Sequence, residues 1–292
     1  MHILLFFAVL ALLPAGGVFA QDARLTPSYD ERSNYIRDFP GVDIDVQPFV
    51  NTWKDSPIHA GHGGFAEQEI FTPGDPVNPP RKGAVLKYLK TFNHAFLYGG
   101  QKTALVKHDG EQVVFYIMEG SGLVEAGGKT LEIREGSGIF IPADLEYRVI
   151  NTTGKPIEAV IIVEGTPPGF KPAPNMVVRN YRDAAPGFCC WAYTTYGLFS
   201  RSDGLAEPMG IAVVAVENYG MGSPHFHVEG CEEIWLKLKG EENPLLLGKK
   251  LLRQNIGDAF YPPPNGLIPH AVINPTETPM FWLYIGNRHD RP

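Results

Sequence analysis

From Gly83 onward the chain alternates in short steps. Apolar or alternating runs occupy residues 103–106, 113–118, 122–125, 130–133, 138–141, 147–151 and 157–163, and glycines or prolines separate most of them. Such runs, punctuated by turn residues, predict short β-strands paired into an antiparallel barrel or sandwich. No convincing amphipathic helix interrupts them. A second set follows at 209–217, 234–238, 245–252, 259–261, 271–273 and 281–285. Between the sets, 165–174 reads Gly-Thr-Pro-Pro-Gly-Phe-Lys-Pro-Ala-Pro, too proline-rich for a ladder strand, and is the natural linker.

The segment before Gly83 looks different. Residues 1–20 hold no Lys, Arg, Asp or Glu, 3–13 are apolar, and Val18-Phe19-Ala20 precedes Gln21 as a small-residue cleavage signal. This predicts a secretory signal peptide and a soluble, secreted or periplasmic mature chain. An N-terminal anchor is the alternative, for which the apolar run is short. Residues 21–82 are polar and rich in Pro, Gly and Asp, and are expected as an irregular arm or loops over a barrel. Their unusual stretch, 58–64, carries His59 and His62, which could reach a site as outer ligands or substrate contacts.

Composition narrows the function. At 292 residues, 44% hydrophobic and 20% charged, the chain has ample material for a globular core, and 32 Gly with 26 Pro suit many turns. A formal charge of −7 without a basic run argues against nucleic acid or an anionic membrane as partner. Of three cysteines, Cys189 and Cys190 are adjacent, and Cys231 sits beside a carboxylate pair, so no disulfide framework exists.

The candidate chemistry lies in the second set. His225 and His227 stand two apart, so an extended backbone sends both imidazoles from one face. Glu232 and Glu233 follow a turn at Gly230, and a third imidazole, His270, comes later. Imidazoles plus a carboxylate make a cage for one divalent transition metal ion: Fe, Mn, Zn, Ni or Cu.

These residues resemble the two motifs of the cupin superfamily. Gly220, His225, His227, a glutamate and Gly240 fit the first; Gly257, Pro263, His270 and Asn274 fit the second, with two extra residues between Pro263 and His270. The resemblance implies metal ligation by His225, His227, His270 and a glutamate inside a small β-barrel. Counting from His227 favours Glu232, and counting back from Gly240 favours Glu233. Glu233 is taken, because spacing along one strand drifts less than spacing across a turn.

The same landmarks recur earlier. Residues 113–120 end like the first motif, and Gly136, Pro142 and Asn151 are spaced like the second. There Val106, Val113 and Tyr147 stand at ligand positions and only His108 survives, so that barrel is expected to be metal-free. The resemblance implies an all-β bicupin with two tandem jelly-roll barrels. Its expected parts are a signal peptide (1–20), an N-terminal arm (21–82), a degenerate barrel (83–174) and a metal-bearing barrel (175–292). Cupins span several metal chemistries, and the leading expectation here is a metal-dependent enzyme that converts a small oxygen-rich organic molecule by oxidation or decarboxylation, with Glu232 or Glu229, by adjacency alone, as the nearest spare general base. A lyase or isomerase of a sugar derivative, and a non-catalytic small-molecule or sugar-binding module, are the alternatives. The expected partner is a small-molecule substrate, alongside further copies in a homo-oligomer.

Overall fold

The computed structural model describes residues 44–206 and 210–287, and the signal-peptide reading at 1–20 lies outside them. Two barrels repeat one plan. In the first, an eight-stranded sheet runs in the order Val177–Asn180, Ser137–Ile141, Glu111–Glu119, Ile157–Gly165, Leu89–Leu97, Phe65–Pro73, His59–Gly61, with Ala84–Leu86 paired parallel to Phe65–Pro73. A three-stranded sheet, Tyr147–Ile150, Ser121–Ala126 and Lys129–Arg134, faces it. In the second barrel the larger sheet runs Val50–Thr52, Asp258–Phe260, Glu232–Lys239, Met280–Asn287, Gly210–Val216, Tyr193–Phe199, Pro186–Cys189. Lys250–Gln254, Asn243–Leu247 and His270–Val272 form its smaller partner.

The eight-stranded sheet is buried on both faces, which explains its nearly continuous apolar strands. On Ile157–Gly165, Ala159, Ile161 and Val163 point into the first barrel's interior with Phe65, Phe115 and Ile139. Their neighbours Val160 and Ile162 face the other way, into a core shared with Phe260, Trp282 and Leu283 of the second barrel. Period-two side-chain geometry thus lets one sheet serve two cores.

Several boundaries differ from the sequence expectation. Residues 44–82 are not an arm of loops: His59–Gly61 and Phe65–Pro73 extend the first barrel's sheet, and Val50–Thr52 pairs with Asp258–Phe260 of the second. Conversely Val177–Asn180, expected in the second barrel, pairs with Ser137–Ile141 of the first. Each large sheet therefore gains an edge strand from the chain segment that precedes the other barrel. Backbone pairing, which composition does not report, drives this exchange. The run 245–252 is a hairpin that turns back at Gly248, held at φ +59° where glycine has no Cβ penalty. Residues 103–106 form no strand: Val106 makes one isolated bridge, to Tyr147, and Lys102 just before the run makes another, to Ile150.

Candidate metal centre

The bridge pattern fixes the repeat at the level of single residues. His225 pairs with His270 as Val106 pairs with Tyr147, and Met221 pairs with Ile273 as Lys102 pairs with Ile150. Asn274 and Asn151 are equivalent too. Asn274 donates to the carbonyls of Val216, Glu217 and Thr278 and accepts from Thr276; Asn151 donates to Leu97 and Lys155 and accepts from Thr153. These asparagines clamp the turn after the second motif and do no chemistry.

Residues 225–228 alternate as an extended segment should. His225 and His227 turn inward, while Phe226 and Val228 are 61% and 64% exposed on the lip. The imidazole nitrogens of His225, His227 and His270 lie within 4.8 Å of one another. Glu233 joins them: its Oε2 is 2.8 Å from His227 Nε2 and 3.3 Å from His270 Nε2. The backbone hydrogen bonds His270 N to His225 O (2.9 Å) and His225 N to His270 O (3.3 Å) lock the two motifs together.

Supporting contacts orient each donor. His225 Nδ1 sits 2.7 Å from the Ser223 carbonyl, which places the proton on Nδ1 and leaves Nε2 with its lone pair. Trp235 Nε1 donates to Glu233 Oε1 at 2.9 Å, leaving Oε2 for the centre. Sequence reasoning missed both; for Trp235 the signal was its place two residues along the same strand face. Burial pushes His270 down to about 4 against the opposing pull of Glu233, so it is neutral and able to ligate at ordinary pH. Burial also pulls the Glu233 carboxyl upward, but His270 and His227 beside it prevail and hold it below its ordinary value.

The residues present fit a transition ion. Glu233 Oε2 and His270 Nε2 are buried only 3.3 Å apart, and no hydrogen bond joins them. Buried polar atoms without partners are costly, and facing lone pairs are what a shared cation relieves. The cavity here is about 10 Å³, water-sized. Beside His227 and Glu233, its lining includes Phe226, Cys231, Pro263 and Ile268.

Glu232, the expected general base, points the other way. Adjacent strand residues face opposite sides, and its carboxylate accepts from the backbone N–H of Lys87 (2.6 Å), Tyr88 (3.2 Å) and Leu89 (3.0 Å) and from Tyr261 Oη (3.3 Å). It clamps the start of the Leu89–Leu97 strand onto the second barrel and has no lone pair facing the triad. Glu229 is exposed on the lip beside Gly266. Of the aromatic residues near the motifs, Trp235, Tyr261 and Trp282 are core. None of Cys189, Cys190 and Cys231 is in a disulfide.

The first barrel is less apolar than its valines suggest. Val113 is buried at the position of Glu233, as expected, but His62 enters from the hairpin to meet His108 and Glu67, and His108 in turn meets Tyr147. His59 is exposed and takes no part.

Comparison with known proteins agrees with this architecture. Residues 94–163 match the family described as cupin domain. The chain as a whole has the two-barrel jelly-roll fold seen in bicupin structures. Over 59 residues it is 32% identical to an uncharacterized protein of Methanocaldococcus jannaschii; the match covers 20% of this chain and 47% of that relative, about half its length. Among solved structures, a variant of Bacillus subtilis oxalate decarboxylase superposes with a TM-score of 0.63 at 14% identity, covering 91% of this chain and 85% of that one. A Pseudomonas aeruginosa protein described as glyoxylate induced gives 0.62 at 18%, covering 78% and 82%. Hazelnut (Corylus avellana) vicilin gives 0.62 at 11%, covering 82% and 85%. At these identities the likeness is one of fold.

Proposed function

We propose that this chain is an extracytoplasmic metal-dependent enzyme that converts a small oxygen-rich organic molecule by oxidation or decarboxylation, with its centre in the second barrel. The observation that carries the reading is the convergence of three imidazoles and Glu233, with His227 and Glu233 lining a water-sized cavity. His225, His227, Glu233 and His270 would hold the ion. A divalent transition ion supplies Lewis acidity at such a site and, where it is redox-active, access to dioxygen chemistry.

The chain's own residues do the rest. The Ser223 carbonyl and the Trp235 indole fix the donor atoms before any ligand arrives. The prolines at 262–264 with Ile268 exclude water from the pocket, which strengthens every electrostatic contact inside it. A pocket of about 10 Å³ holds no organic substrate as it stands, so substrate entry requires the lip at 226–228 to swing outward. Glu229, on that lip, is the carboxylate placed to exchange a proton with bulk water.

Likeness to oxalate decarboxylase supports decarboxylation as the reaction type, whereas likeness to vicilin favours a second reading, a non-catalytic binding module. Elemental analysis of native protein, followed by oxygen uptake and carbon dioxide release on a panel of small hydroxy, oxo and dicarboxylic acids, separates the two. Turnover that disappears in His270→Ala is the expected result. Ligand binding without turnover across the panel, with metal present, would establish the binding module instead.

A further inference from the structure

We propose that the first barrel holds a second, weaker site for a divalent transition metal ion, ligated by His62, His108 and Tyr147. These residues come from three elements, and only His108 and Tyr147 occupy positions equivalent to ligands of the second barrel.

His62 lies at the apex of the hairpin joining His59–Gly61 to Phe65–Pro73, with φ at +40°. That left-handed conformation costs a non-glycine residue about 1 kcal/mol or more, and persists where surroundings impose it. The imposition is visible. Ala104 N donates to Gly63 O at 2.8 Å, and a Cβ on Gly63 would come within 2.5 Å of Val106 Cγ2. The apex is pressed against the segment at the first barrel's mouth, and the His62 ring stacks on His108 at 5.1 Å with 28° between planes.

Both imidazoles are held as metal-binding imidazoles are held. His62 Nδ1 is 2.6 Å from Glu67 Oε1, and Glu67 is itself fixed by Asn93 Nδ2 at 2.9 Å. His108 Nδ1 is 3.4 Å from Glu111 Oε2, and Lys90 anchors Glu111 at 2.6 Å. A carboxylate on Nδ1 sets the tautomer and turns Nε2 into the donor. Tyr147 Oη lies 3.3 Å from His108 Nε2, offering an oxygen beside that nitrogen.

One atom is left over. His62 Nε2 is buried without a hydrogen-bond partner, on a side chain only 9% exposed. An ion pair between His62 and Glu67 would account for Nδ1 and still leave Nε2 pointing at nothing. Glu67, 1% exposed, is a buried carboxylate whose direct partners are an imidazole and an amide. A cation on Nε2 answers both needs, since buried charge is tolerated when compensated. The mixed nitrogen and oxygen donor set suits Zn²⁺, Ni²⁺ or Cu²⁺ rather than Mg²⁺ or Ca²⁺. With no carboxylate among its direct ligands, the site should bind more weakly than the second barrel's.

The test uses the full chain carrying His225→Ala and His227→Ala, which removes the second barrel's site. Calorimetric titration with Zn²⁺, and visible absorption with Co²⁺, should find one equivalent bound. Tyr147→Phe should weaken it about tenfold. His62→Asn, which keeps a residue that tolerates the left-handed backbone, should abolish it. In an otherwise unaltered chain, His62→Asn should lose this equivalent and keep the other, showing that the fold survives. No Zn²⁺ on the double variant, or an equivalent that survives His62→Asn, overturns the proposal. The first outcome would leave the second barrel's site standing.

Discussion

Replacing Glu232 with Ala tests whether this carboxylate is a catalytic base or a structural clamp. Four donors converge on it: the Lys87, Tyr88 and Leu89 amides and the Tyr261 hydroxyl. Lys87 and Tyr88 retain some exposure, so water can replace part of what they lose. Leu89 and Tyr261 are 1% and 0% exposed, and each orphaned donor there costs about 1–3 kcal/mol. Adding the void left by the side chain, the loss should be about 3–6 kcal/mol, a large part of a typical domain's stability. At about 2–4 °C per kcal/mol this lowers Tm by about 6–24 °C. Glu232→Gln keeps the shape and one acceptor but turns an amide N–H toward donors, and should lose about half as much. Denaturant titrations give the stability, and elemental analysis of the same samples gives the metal content, which should stay at the unaltered value. A Glu232→Gln protein with unchanged stability and metal but no turnover would refute the clamp and restore the catalytic role.

Other outcomes follow from the same geometry. Glu233→Gln and His270→Ala should each strip the second barrel's ion and abolish turnover while circular dichroism stays that of a folded β protein; retained high-affinity metal in either would remove it from the ligand set. In metal-free protein His270 has a folded pKa of about 4, below its unfolded value of about 6.5. Its contribution to stability is therefore fully present above about pH 6.5 and fades as pH falls toward 4, by about 3 kcal/mol in all. Denaturant midpoints across that range should show the loss, and a His270→Gln variant with the same pH dependence would contradict the assignment. Asn151→Ala and Asn274→Ala, which remove matching turn clamps, should destabilise similarly, by about 2–4 kcal/mol each in denaturant titration, without altering metal stoichiometry. If residues 1–20 are a signal peptide, mass spectrometry of exported protein should find a chain that starts at Gln21; Met1 retained in membrane fractions would mean an anchor.

Much of the second barrel's site was legible because its information is local. His225 and His227 are two apart, and Glu233 is fixed by counting back along one strand from Gly240, so spacing alone puts them on facing sides of a pocket. His270 needed only the turn landmarks Gly257 and Asn274. What stayed hidden depends on contacts that spacing does not encode. Glu232 and Glu233 are chemically identical neighbours, and only the approach of Lys87–Leu89, more than 140 residues away in sequence, shows which one is taken. Val50–Thr52 is too short and too polar to announce a strand, and its pairing with Asp258–Phe260 is a backbone event. The strand Leu89–Leu97 was overlooked because Asn93 and His94 break its apolar run, although both are buried.

The His62 stretch shows the limit most clearly. By resemblance, the first barrel lost its ligands at Val106, Val113 and Tyr147, and comparing motif with motif makes that loss look final. Yet the repeat is not the whole barrel. The hairpin before it supplies an imidazole and a buried glutamate to the same interior, and the glycines at 63 and 64, both at positive φ, are what let the backbone bend there. A valine at an old ligand position removes a donor; it does not stop an outside strand from delivering another. The edge strands exchanged between barrels make the same point about architecture, since Val50–Thr52 and Val177–Asn180 each complete the sheet of the barrel that the repeat assigns them away from. Function in this fold is therefore distributed by sheet pairing as well as by motif. A reading confined to residues 83–174 or 175–292 cuts through both the clamp at Glu232 and the polar cluster at His62.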